Sequence, residues 1–534
     1  MKKKIKKIRN YKILDKFKSG KIRTLVFCFV VAFSTLLLFS KCSFLYPFNG
    51  WDDFNSFYTV GSGWANGLIP YRDLFEQKGP FLYFIFMISY LISPGKFTGI
   101  FILEILFFTF TLYYSSKIID LIIDRKKYPW GRFLILILYA LMMTTSISFV
   151  TGGSSEEFNL LFVTISVFYI LKYFKSGDLI DISYKNLIIT GLCCGLSLMI
   201  KYTTVGLWFI MMAYICIRLI KFKRWKESIL KGLTFVLAML TPFLIFSIYF
   251  YLNNSLFDFI NTYFYINIFK YSSDKNILIT IFSTFYSMFA AFFSNFIIVL
   301  ITYIVFCYYL FVIFRNRLKF KLNKKQKIFM GMILFSLFIL YYGQLFRPYA
   351  ITSLFFIILL FIIYLYKFFY KYKVFKILSL GYILVVLLFC IDFKYMTIDR
   401  DNIVQYRFAN IINQEENPTL LHYRSIDEGF YTAAGILPIN KYFEQVNIDA
   451  LELPESYEEQ DSLIKNKKVM FVVVRKFDLD REWAYLELLN EEKAGFNQRA
   501  DLEFIMKYYD LVDVYDNYVG YYKTSKYYLF KVKE

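Results

Sequence analysis

The chain has 534 residues, 58% of them hydrophobic and 22% aromatic, with a mean hydropathy of +0.47. Such values, arriving in apolar blocks of roughly 18 to 25 residues, exclude an ordinary soluble protein and indicate several membrane spans. The net charge of +21 does not mark a nucleic-acid binder: residues 392–534 hold 18 Lys and Arg against 26 Asp and Glu, so the basicity belongs to the apolar region before them.

In chain order, a basic segment over 1–22 leads into an apolar run at 23–40. That run is too long for a signal peptide and no small-residue cleavage site follows it, so it reads as a retained first span. A polar stretch follows, "FNGWDDFNSFYTVGSGWANGLIPYRDLFEQKGP" at 48–80. Further spans are expected near 97–123, 131–150, 158–174, 186–200, 203–220, 229–252, 293–314, 328–343, 349–366 and 377–391, about eleven in all. Two other apolar runs, "PFLYFIFMISYLIS" (80–93) and "ILITIFSTFYSMFAAFF" (277–293), are expected to lie in the outer interface. Counting either one alone as a span would invert every later loop.

Loop charge sets the orientation. With the N-terminus inside, the inner segments carry 35 Lys and Arg and the outer segments 8. This is the positive-inside asymmetry, and it places the stretch 48–80 outside. From residue 397 the composition turns soluble. "PTLLHYR", "KVMFVVVRKF", "YDLVDVYD", "YVGYYKT" and "KYYLFKVKE" read as strands and "QRADLEFIMKYY" as a helix. The expected organisation is a basic cytoplasmic N-terminus (1–22), a helical membrane domain (23–396, first outer loop 41–96) and a small extracytoplasmic α/β domain (397–534).

The seven Cys are scattered through apolar runs without metal or redox spacing and read as packing residues. The single His, His422, is in the C-terminal part, which excludes a His-based metal site or a Ser-His-Asp triad in the membrane region. Chemistry there must use carboxylates, Lys, Arg and Tyr. The outer face offers Asp52, Asp53, Arg72, Asp73, Glu76 and Lys78 in the first loop, Glu156 and Glu157 in "TGGSSEEFN", Lys201 in "LMIKYTT" and Arg347 in "GQLFRPYA". Ionisable groups at span ends usually face a cavity or a partner. Lys201 and Arg347 equally suit snorkelling interfacial anchors. Asp52-Asp53 and Glu156-Glu157 equally suit helix-start acids that favour the dipole.

The first outer loop, "WDDFNSFYTVGSGWANGLIPYRDLFEQKGPFLYF", resembles that of the GT-C superfamily of membrane glycosyltransferases. The likeness is strongest to the glycosyltransferase family 39-like group, with the protein O-mannosyltransferases and the lipid A aminoarabinose transferase. It rests on Asp52-Asp53, Gly67, Pro70 and Lys78-Gly79-Pro80, on Glu156 where many relatives have Asp, and on the Gly-rich "GLCCGLSLMIKYT" ending at Lys201. It covers roughly residues 20–370.

The resemblance implies a GT-C-like fold and inverting transfer of a sugar from a polyprenyl-phosphate donor to an acceptor hydroxyl. It implies Asp52 as the base, with Asp53 and Glu156 positioning substrates or binding an optional divalent cation (Mg or Mn). Arg72, Lys78, Lys201 and Arg347 become candidates for the lipid phosphate. The implied setting is a bacterial cytoplasmic membrane, with membrane lipid as the solvent for the donor and a partner enzyme charging the polyprenyl phosphate. The implied acceptor is a cell-envelope glycan, teichoic acid or protein. A lipid-linked glycan transporter or flippase, and a glycan polymerase or ligase using diphosphate donors, stay open as alternatives.

Overall fold

The computed structural model describes residues 20–124, 127, 130–270, 277–293, 323–342, 358–360, 362–363, 366, 373–448, 450–477, 498–516 and 525–534. Arg347 and the expected strand "YVGYYKT" lie outside them, as do almost all of the expected span 293–314 and most of 349–366. The described chain is mainly helical and forms two compact units.

One unit gathers Met1–Ser40, Leu103–Phe243 and Ile277–Ile391. Among the described residues five helices are long and apolar enough to cross a membrane: Gly20–Phe39, Thr98–Ile122, Ser155–Ser176, Tyr202–Lys221 and Trp225–Leu252. Gly131–Thr144 and Tyr184–Leu198 are shorter apolar helices. This is a multi-pass membrane protein. The glycines of "GLCCGLSL" explain one close packing: a Cβ on Gly191 would come within 2.8 Å of the Phe235 carbonyl oxygen, and one on Gly195 within 2.9 Å of Pro242. Small residues there let two helix backbones approach without side chains between them.

The other unit gathers Lys41–Ile102, Leu244–Asn276 and Asp392–Glu534. Composition divides the chain near residue 396, but contacts place Lys41–Ile102 with the C-terminal part. Composition follows exposure to lipid and water, whereas a compact unit follows the pairing of side chains. Phe75, Ile266, Tyr442, Val446, Ile448 and Leu453 make a buried cluster drawn from all three segments. The Phe75 N–H also donates to the Lys441 carbonyl at 2.9 Å.

The C-terminal sheet has four described strands, β1 (Leu420–His422), β2 (Phe471–Phe477), β3 (Tyr509–Asp516) and β4 (Ser525–Val532), in the order β1-β2-β4-β3. β1 is parallel to β2; the other pairings are antiparallel, with an irregularity in β3 between Leu511 and Asp513. The unbroken apolar run in β2 suits a strand buried on both faces. Val472 and Val474 pack with Leu421, Ile464, Ile505 and Phe530, under the helices Pro454–Lys465 and Gln498–Met506.

Candidate active site

The polar stretch after the first span folds into a helix, Asp52–Ala65, which starts directly after the buried Trp51. Asp52 and Asp53 occupy its first turn, where negative charge is favoured by the helix dipole. The Asn55 amide donates to the carbonyls of Asn49 (2.8 Å) and Trp51 (2.7 Å), which fixes how the chain enters the helix. Every residue from Phe54 to Trp64 is buried, while Asp52 and Asp53 are partly accessible. The helix therefore presents two carboxylates at the end of a rigid, desolvated rod.

Asp52, Ser56 and Thr59 lie at i, i+4 and i+7 and so share one face. That face meets acids from the C-terminal segment. Ser56 Oγ donates to Glu444 Oε1 and Thr59 Oγ1 to Asp427 Oδ2, both at 2.6 Å, and the Asp427 N–H donates to Glu444 Oε2 at 2.8 Å. Next to them Glu428 pairs with Arg475 at 2.6 Å and accepts from the Tyr527 hydroxyl. Gly429 makes the turn that brings these acids to the helix: its φ is +91°, and a Cβ there would sit 2.5 Å from Asn55 Oδ1 and from the Phe48 ring. Gly429→Ala is expected to lower stability by about 2 kcal/mol or more, from left-handed strain together with steric overlap. Thermal unfolding would measure it.

Burial pushes the Asp427 carboxyl up to about 6 and Glu428 up to about 7; the nearby Asp52 charge adds to both, while Arg475 pulls Glu428 down. Burial, and then the Glu76 carboxylate, raise Glu444 further. The folded state thus retains protons that the unfolded chain releases. Stability falls as pH rises from 3.8 to about 6 through Asp427, and from 4.5 to about 7 through Glu428. His422, fully buried edge-on to Phe430, acts in the opposite sense: burial lowers its pKa from 6.5 to about 3, so stability is lost as pH falls through that interval. Asp427→Asn cannot ionise and isolates the first effect. Its melting temperature relative to wild type should move in the variant's favour as pH rises from 3.8 to about 6, and a constant difference would contradict the assignment.

The turn that follows the helix carries the candidate cations Arg72 and Lys78. Arg72 forks onto Asp73 with two 2.8 Å bonds and donates to the Asn253 carbonyl at 3.0 Å. The Arg72 guanidinium holds Asp73 below the usual carboxylate range, aided by the Ile69 N–H. Lys78 is placed more tightly. Its N–H donates to Glu76 and Tyr83, its carbonyl accepts from the Tyr71 hydroxyl, and its ammonium lies 3.5 Å from Glu76 and over the Phe57 ring. Pro80 then opens the helix Pro80–Ile92 at its first position, where the missing N–H costs nothing.

In the other compact unit, Ser154 caps the helix Ser155–Ser176 by accepting from the Glu157 N–H, and Glu156 and Glu157 fill its first turn. Lys201 donates to Glu156 Oε1 at 2.6 Å, and both side chains are buried. Ser155 donates to the second Glu156 oxygen. Glu157 accepts from the Gly153 N–H, and Glu104, in the helix Thr98–Ile122, accepts from Ser40 at 2.8 Å.

Comparison with solved structures identifies this architecture. The chain is similar to ArnT from Cupriavidus metallidurans in the apo state, with a TM-score of 0.50 and 12% identity, over 95% of this chain and 97% of that one. The chain has the GT-C fold. ArnT from the same organism bound to undecaprenyl phosphate gives a TM-score of 0.49 at 12% identity, with the same coverage. The oligosaccharyltransferase AglB from Archaeoglobus fulgidus, in complex with an inhibitory peptide and a dolichol-phosphate, gives 0.46 at 11%, over 93% of this chain and 73% of that one. Neither a family model nor a curated protein matches the sequence.

On the GT-C scaffold, Asp52, Asp53, Arg72 and Lys78 fall in one compact unit, and Glu156 and Lys201 in the other, where they form an ion pair. Arg347 is outside the described residues. Among the described residues no group of three or more His, Cys, Asp or Glu is gathered as a metal site requires. Asp52 and Asp53 lie in one compact unit and Glu156 in the other. Sequence reasoning missed Glu104, although a lone carboxylate in "FILEILFF" was a signal. It also missed Asp427, Glu428 and Glu444, which no local pattern ties to the first loop.

Proposed function

We propose that this chain is a membrane glycosyltransferase that transfers a sugar from a polyprenyl-phosphate donor to an acceptor hydroxyl. The observation that carries this reading is the pair Asp52-Asp53, partly accessible at the head of an otherwise buried helix, in a chain with the GT-C fold. ArnT, whose fold it shares, has a form bound to undecaprenyl phosphate, which supports a polyprenyl-phosphate donor.

In this reading Asp52 takes the proton of the acceptor hydroxyl as that oxygen bonds to the anomeric carbon. The bond from the anomeric carbon to the phosphate oxygen breaks, and its electron pair leaves with the polyprenyl phosphate. Displacement from the opposite side inverts the configuration. A phosphate leaves without a general acid, unlike the alcohol of a glycosidase, so one carboxylate suffices. The Lys78 ammonium is assigned to the leaving phosphate. Arg72, already forked onto Asp73, is the weaker candidate. Lys201 enters as part of an ion pair with Glu156 that carries no net charge. Asp53 is assigned to substrate positioning.

The proposed setting is the outer face of a bacterial cytoplasmic membrane, with the N-terminus inside, the C-terminal part outside, and a cell-envelope glycan, teichoic acid or protein as acceptor. A separate enzyme would load the polyprenyl phosphate. The test compares monophosphate-linked with diphosphate-linked sugars and determines the anomeric configuration of the product by NMR. Consumption of the monophosphate donor with inversion is expected. Retention, or turnover of diphosphate-linked oligosaccharide alone, would overturn the proposal.

A further inference from the structure

The face of the helix Asp52–Ala65 that carries Asp52 is the face held by the C-terminal segment. Ser56 is one turn beyond Asp52 and Thr59 two turns beyond, and their hydroxyls end on Glu444 and Asp427. Both acids are fully or almost fully buried, at 1% and 0% exposure. They are also tied to each other, because the Asp427 N–H donates to Glu444 Oε2. The second Asp427 oxygen is taken by the Gly429 N–H at 2.8 Å, in the turn that lies against Asn55. The two acids are thus also held by bonds within their own segment.

Buried hydroxyl–carboxylate bonds of this kind set helix rotation as well as depth. A slip of one residue turns the helix by about 100° and would carry Asp52 away from the face it now shares with Ser56 and Thr59.

We propose that Asp427 and Glu444 are positioning residues of the transfer reaction, acting through Thr59 and Ser56 to fix the rotation and depth of the helix that presents Asp52. The proposal rests on Asp52 as the reacting base. It gives the C-terminal segment a role in catalysis that does not require contact with either substrate. Binding of the donor phosphate is left to other groups, so loosening the helix lowers kcat and spares the donor KM.

The test uses the full-length protein in detergent and the variants Thr59→Val, Thr59→Ser and Ser56→Ala. Hydrogen exchange of the amides at 53–58 reports the hold on the helix, and turnover of a polyprenyl-phosphate sugar reports its consequence. Thr59→Val should speed exchange and lower kcat about 10- to 100-fold at unchanged donor KM, as expected for a small misplacement of a reacting group. Thr59→Ser, which keeps the hydroxyl, should restore both. If Thr59→Val does not fold, Ser56→Ala carries the same comparison through Glu444.

Unchanged exchange, or faster exchange with wild-type kcat, would overturn the positioning role while leaving Asp52 as the base. A rise in donor KM at constant kcat would overturn it too. Full activity of Asp52→Asn would overturn the reading of the base itself, and the exchange response of Thr59→Val would tell the two failures apart.

Discussion

Asp52→Asn is expected to lower turnover about 10²- to 10⁴-fold while leaving the protein folded, because the amide keeps the shape of the side chain and loses its capacity to take a proton. Asp52 is one of two partly accessible residues at the start of the helix, and its Oδ1 accepts from the Asp53 N–H at 2.9 Å, a bond an asparagine oxygen can also accept. Removing its charge also relieves repulsion on Asp427 and Glu428, both of which it pushes toward protonation. The melting temperature of Asp52→Asn should therefore stay level or rise slightly. Loss of turnover with a lowered melting temperature would indicate a structural role instead.

Lys201→Met is expected to have the largest effect on stability. Lys201 and Glu156 are 2.6 Å apart with 8% and 4% of their side chains exposed, so removing the ammonium leaves a buried carboxylate with the Ser155 hydroxyl beside it. Breaking a buried pair from one side costs about 3–5 kcal/mol, much of it the penalty on the charge left behind. The double variant Lys201→Met with Glu156→Gln removes both charges and should recover most of that loss, since a buried pair is often no better than neutral residues of similar size. Thermal unfolding of the purified single and double variants would measure it. A single variant as stable as wild type would mean that Glu156 is compensated by other groups. Donor turnover by the double variant separates a structural pair from one that also meets the lipid phosphate.

The described membrane helices were legible because apolar run length is a local property, and so were the four described C-terminal strands with their β-branched and aromatic runs. Asp52, Asp53 and Lys78 stood out as candidates for a related reason: polar groups packed directly after a span contrast with their surroundings. The fate of Arg72 could also have been read, since "YRD" sets its acid next to it. Asp427 could not. Its partner Thr59 is 368 residues away in the chain, and nothing in "SIDEGFY" specifies which helix its carboxyl will meet. The same limit hid the grouping of Lys41–Ile102 with the C-terminal part, because composition records what each segment is exposed to and not which segment it touches. Glu104 is a different omission. A single carboxylate within an apolar run is costly wherever it lies, so "FILEILFF" alone had earned Glu104 a place among the candidates.

The central claim is that this chain consumes a polyprenyl-phosphate sugar. Purified wild-type protein, shown to be folded by its melting transition, should be incubated with a panel of polyprenyl-phosphate sugars and a cell-envelope acceptor extract, and the lipid products followed by mass spectrometry. At least one donor is expected to be converted to free polyprenyl phosphate by the wild type and not by Asp52→Asn. Conversion of none of them by well-folded wild-type protein would contradict the account.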